Sequence, residues 1–205
     1  MTQIILTEAE ESAMREIASI GIGNASTALE QILGSRINVK FPRIEMIELD
    51  QLTRIYPEQE VLIGVIMRFA GEISGKLFYL FKKDDIKKMM QVMMNAQGAV
   101  DLLESESVST IKELGNILSA SYINALSIFT SLHIVQSLPH LALDTPSSIF
   151  DLGSISDPRD MQLILLRSNI EISDINYSAE GSLIMELNAA EMQKLLKAVK
   201  EKYHM

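Results

Sequence analysis

The sequence predicts an α+β fold: a pseudo-twofold duplicated helix, three-strand, helix unit forming one continuous, largely antiparallel sheet, with the two long motif helices on one face. Three observations predict it. Two long stretches, from Thr7 to about residue 33 and from about 105 to 130, have helical character and carry the same layout of Glu and small polar residues. Three spacings agree on one offset, since 113 − 16, 116 − 19 and 139 − 42 are each 97, and a constant offset marks a duplicated unit. Between the helices lie short apolar runs of strand length, bounded by Gly, Pro and acidic residues.

Taken in order, Thr7-Glu8-Ala9-Glu10 has the form of a capping box, the Thr hydroxyl and Glu carboxylate reciprocally satisfying free amides at a helix start. The helix is expected to end at Gly34 and to bury Ile17, Ile20, Ala28, Leu29 and Ile32, leaving Ser12, Glu16 and Ser19 together on another face. Residues 36–49 alternate Ile37, Val39 and Phe41 with Asn38, Lys40 and Pro42, the period of a half-buried strand. Pro42 cannot donate to a ladder and marks an edge, bulge or strand end. Runs 61–69 and 73–81 read as two strands joined through Ala70-Gly71-Glu72. Asp84 opens a helix whose Met89, Met90, Met93 and Met94 are read as core.

After an acidic connector, 96–104, the second long helix leads to strands at 132–143, 162–172 and 181–187. Pro139 repeats the role of Pro42, and Asn188 caps a final helix over 189–203. The reading is one domain, 1–205, with copy one at about 5–95 and copy two at about 102–205. Gly75 matches Gly181 at an offset of 106, so copy two carries 106 − 97 = 9 extra residues, assigned to 144–153 as a surface insertion.

Composition excludes several classes. A formal charge of −9 and a pI near 4.9 argue against nucleic acid, which requires a basic face, and suit protein partners carrying lysine or arginine. No cysteine is present, so disulfide and thiolate chemistry are out, in keeping with a cytoplasmic protein. His133, His140 and His204 lack the spacing of a metal site. No apolar run reaches 18 residues and no basic stretch leads into an apolar one, so neither membrane insertion nor a signal peptide is expected.

The chemistry is expected on the second long helix. Glu113 and Asn116 stand three residues apart and project from one face, an anionic acceptor beside an amide that both donates and accepts. In copy one Glu16 keeps its place, but Ser19 stands where the amide would be.

The pattern of Asp or Ser, three residues, Glu, two residues, Asn, twenty-two residues and Pro resembles the signature of the CheC-type chemotaxis phosphatases, the family of CheC, CheX and FliY. It stands complete as Ser109, Glu113, Asn116 and Pro139, and degenerate as Ser12, Glu16, Ser19 and Pro42. The resemblance covers essentially the full length. It implies a cytoplasmic hydrolase accelerating loss of the aspartyl phosphate from a phosphorylated CheY-type response regulator, with CheD as a second partner of some members. The implied mechanism needs no cofactor of this chain's own, because the regulator supplies Mg2+ and a lysine. Asn116 would orient a water and Glu113 would anchor that lysine, as phosphoryl transfer is governed by orientation and electrostatics. Ser19, too short to span the same gap, predicts a first site that is inactive or very weak. A binding module that docks a response regulator, CheD or a flagellar switch component without turnover is the alternative. A small-molecule sensor is a weaker third reading.

Overall fold

The computed structural model describes residues 4–34, 36–94, 96, 98–150, 160–173 and 176–203. Its elements are α1 (Glu8–Leu33), β1 (Ile37–Ile47), α2 (Leu49–Ile55), β2 (Leu62–Gly71), β3 (Gly75–Lys82), α3 (Lys83–Met93) and α4 (Ser105–Thr130), then β4 (Ile134–Gln136), β5 (His140–Asp144), α5 (Pro146–Ile149), β6 (Met161–Ile172), β7 (Tyr177–Asn188) and α6 (Ala189–Tyr203).

The two long helices begin where their caps dictate. At α1 the Thr7 hydroxyl accepts from the Glu10 amide and the Glu10 carboxylate accepts from the Thr7 amide, completing the capping box, and Gly34 closes the helix at φ 62°. Both α1 and α4 are 26 residues long, and their first and last residues each differ by 97.

Among the described residues the strands form a seven-stranded sheet in the order β1-β6-β7-β3-β2-β4, with β5 also pairing β2, and every recorded pairing is antiparallel. The connectivity crosses the middle of the chain. β1, from the N-terminal half, pairs with β6, while β4 and β5, from the C-terminal half, pair with β2. The β3 and β7 strands join the two halves at the centre.

One face of the sheet is roofed by α1, α3, α4 and α6 over the larger core, and α2 and α5 cover a smaller core on the other face. Met89 and Met90 of α3 are buried in the larger core, with Met93 and Met94 packed against it. No helix among the described residues is long and apolar enough to cross a membrane.

Several expectations are corrected. Ile17 and Leu29 face the core as predicted, but Ile20 and Ile32 are exposed, and the buried face of α1 runs instead through Ala13, Met14, Ala18, Ile22 and Ala25. Small residues fill that face because α1 packs against a second helix as well as the sheet. The strand expected over 132–143 is two pieces, β4 and β5, separated at residues 137–139, and the short helices α2 and α5 were not anticipated. Pro42 lies where the register of β1 shifts between Lys40 and Arg43, so that strand continues past its proline whereas the second is interrupted at Pro139. Of the expected insertion at 144–153, residues 144–150 form the end of β5, α5 and Phe150, while 151–153 lie outside the described residues, as does His204.

Glu10 ties two helices together, for its buried carboxylate also meets the Lys200 ammonium of α6 at 3.1 Å. Burial raises its pKa, but the Thr7 hydrogen bonds and Lys200 outweigh that and hold it below the ordinary carboxylate value. A lowered carboxylate stabilises the fold fully above its unfolded pKa, about 4.3, and loses that contribution as pH falls through the lower folded value. Thr7→Ala and Glu10→Gln are each expected to cost about 1 kcal/mol at neutral pH. In thermal unfolding followed against pH, Glu10→Gln should flatten the acid limb below about pH 4.

Candidate functional site

The site is built on α4, whose burial alternates with the helical period. Ile111, Leu114, Gly115, Leu118 and Ser119 are buried, while Ser109 and Glu113 are exposed and Asn116 is half-buried. Residues three apart on a helix are separated by about 60° around its axis, so Glu113 and Asn116 rise from neighbouring strips of one surface. The helix runs unbroken through both, which excludes a capping role for Asn116.

Gly115 sets how deeply that surface sits. A Cβ there would lie 2.6 Å from Cβ of Val65 on β2, so glycine lets the α4 backbone rest directly on the sheet between the two polar residues. Gly21 does the same for the other contact of α4, since a Cβ there would lie 2.8 Å from the Ser121 carbonyl oxygen. Together these close approaches fix α4 against both β2 and α1.

Asn116 is held from the side. The Gln136 Nε2 group on β4 donates to Asn116 Oδ1 at 2.9 Å. Sequence reasoning passed over Gln136; the available signal was that offset 97 pairs it with Val39, an apolar residue in a strand of alternating character. Pro139 is half-buried, three residues beyond Gln136 in the break between β4 and β5. Ser109 stands one turn before Glu113 on the exposed side.

The first motif is assembled differently. Ser12, Glu16 and Ser19 are exposed on α1, as expected, but the Ser19 hydroxyl donates to the Arg15 carbonyl of its own helix at 2.8 Å. The hydroxyl is thereby turned along the helix instead of outward. Glu16 lies beside Tyr203 of α6, whose phenol pKa is pushed up by burial first and then by the Glu16 carboxylate. Pro42 is on β1, where the pairing register shifts.

Among the described residues, no group of three or more His, Cys, Asp or Glu is arranged to hold a metal ion. A shallow pocket lined by Tyr56, Lys82, Arg167, Asn169 and Ser182 opens on the opposite face of the sheet from α4.

In sequence and in fold the chain is similar to proteins of the CheC/FliY type. Over 152 residues it is 26% identical to the CheY-P phosphatase CheC of Bacillus subtilis, covering 72% of this chain and 73% of that one. It is 24% identical over 172 residues to the flagellar motor switch phosphatase FliY of the same organism, covering 83% of this chain but 44% of the relative's length. The solved structure of Thermotoga maritima FliY shares the fold, with a TM-score of 0.76 at 19% identity, over 97% of this chain and 100% of that one. No family model matches the chain.

The Gly115 seat is testable. Alanine in a helix is favoured over glycine by about 1 kcal/mol, but forcing a methyl into a β-branched neighbour costs about 1–3 kcal/mol. The steric term should win, because Val65 Cβ is fixed to a strand paired on both sides. Gly115→Ala is expected to lower the melting temperature, read by thermal unfolding of the purified protein.

Proposed function

We propose that this protein accelerates hydrolysis of the aspartyl phosphate of a CheY-type response regulator, acting through α4. The observation that carries the reading is the pairing of an exposed Glu113 with a half-buried Asn116 whose amide is already held by a neighbouring strand. The similarity to a CheY-P phosphatase over nearly three quarters of both chains supports it.

An aspartyl phosphate is an activated acyl phosphate, so what its hydrolysis needs is an oriented water. Asn116 Oδ1 has a second lone pair beyond the one taken by Gln136, and in the proposed complex it accepts from that water while Nδ2 approaches a phosphoryl oxygen without repulsion. The water oxygen bonds to phosphorus as the bond to the aspartyl oxygen breaks. The aspartate leaves as a carboxylate, and the proton from water stays with the inorganic phosphate and solvent. Glu113 anchors the regulator's active-site lysine by a charge-assisted hydrogen bond, setting the register of the two proteins. The divalent cation that neutralises phosphoryl charge belongs to the regulator in this reading. Leu138, 84% exposed beside Pro139, adds an apolar contact at the rim of the same surface.

A second reading, a docking module without turnover, is favoured at α1. There Ser19 is bonded to its own backbone and Glu16 lies beside Tyr203, so the first motif supports partner binding better than catalysis. Partners of that surface in this reading are a response regulator, a CheD-like protein or a component of the flagellar switch.

The test mixes purified protein with phosphorylated CheY-type regulator and Mg2+ and follows phosphate loss. Asn116→Ala is expected to lower turnover on the order of a hundredfold with binding retained. Glu113→Ala should weaken binding instead, read as a raised KM. Wild-type protein that fails to accelerate dephosphorylation of any of several regulators, while still binding one, would leave only the docking module.

A further inference from the structure

We propose that Gln136 is a positioning residue of the α4 site, fixing which end of the Asn116 amide faces outward before any partner arrives. The proposal deepens the phosphatase reading and rests on it for its catalytic consequence, though the contact itself is independent of that reading.

A primary amide turned half a revolution about its last torsion keeps its shape but exchanges donor and acceptor. An unrestrained Asn116 would therefore present two chemically opposite faces to an incoming water. With the Gln136 amide in the orientation seen here, its 2.9 Å bond from Nε2 to Oδ1 holds Asn116 one way round, since turning Asn116 alone would set nitrogen against nitrogen. What remains is one lone pair on Oδ1 and both hydrogens of Nδ2.

Gln136 is itself rigidly placed. It pairs with Phe69 across the β2 ladder, and the next residue, Ser137, donates its amide to the Arg68 carbonyl at 2.8 Å and accepts from the Arg68 amide through Oγ at 3.0 Å. The donor thus comes from a sheet strand and not from a mobile loop.

Stability does not account for a glutamine here. Its Oε1 is buried with no hydrogen-bond partner, a desolvation cost that a purely structural residue would avoid. The position 97 residues earlier holds Val39, a buried apolar side chain, showing what a comparable strand position accommodates without that cost. The amide and its holder also differ together between the two motifs: Asn116 with Gln136 on one side, Ser19 with Val39 on the other.

The decisive variant is Gln136→Met, which keeps the length of the side chain while removing both the donor and the unpaired carbonyl. The melting temperature should hold or rise, regulator binding should be unchanged, and kcat should fall about tenfold. In an Asn116→Ala background the same substitution should have no further effect on turnover, because Gln136 acts through Asn116. A lowered melting temperature with equal kcat losses in both backgrounds would overturn the proposal in favour of a structural role. Gln136→Glu accepts where Gln136 donates, so it should turn the Asn116 amide over and depress kcat further than methionine does, with KM little changed. The side-chain amide resonances of Asn116 in 15N-labelled protein read the contact without any regulator. They should shift and broaden in Gln136→Met, and resonances that stay put would overturn the proposal. A wild-type protein without phosphatase activity would sink the catalytic reading, and these resonances alone would still decide whether Gln136 orders Asn116.

Discussion

The architecture depends on an exchange of strands across the centre of the sheet. β1 completes the side of the sheet containing β6, and β4 with β5 completes the side containing β2, around the β3 and β7 pair. Neither half of the chain holds all the strands of its own side, so hydrogen-bond donors and acceptors at β2 and β6 are satisfied only when both halves are in place. The helix before each exchanged strand must accordingly cross the same face. That crossing brings α1 and α4 into contact, and Gly21 makes it close enough to be stable.

This packing turns a surface helix into a precise platform. A helix resting on long side chains would keep some freedom to roll, and a carboxylate and amide on its outer face would roll with it. With Gly115 seated on Val65 and Gly21 against Ser121, α4 has contact at backbone distance on two sides. In the proposed reaction the partner brings the reactive bond, so placement to within a fraction of an ångström is what this chain would contribute. The bond between Gln136 and Asn116 extends the same logic from the backbone to one side chain.

The two motif surfaces differ in the surroundings of a single polar side chain. Both lie on helices of 26 residues, and both keep a glutamate at the corresponding position. In one, the polar group three residues beyond faces a donor on a neighbouring strand; in the other, a hydroxyl folds back onto a carbonyl of its own helix. A serine hydroxyl within a helix finds the carbonyl four residues earlier without help from the rest of the fold, which is why it is so easily lost to an outside partner.

Local rules made much of this protein legible from its residues. The capping box at Thr7 and Glu10, the stop at Gly34, the limits of α4 and the cap at Asn188 are interactions between residues a few positions apart, so composition and spacing suffice to read them. The offset that singled out Glu113 and Asn116 is likewise a property of the string of residues. Tertiary structure alone decided the rest. Ile20 and Ile32 are exposed because a second helix, 97 residues away, claims the side of α1 that bears alanine and glycine. Gln136 reaches Asn116 only because β4 pairs with β2 beside α4, a meeting across the sheet that no local periodicity encodes.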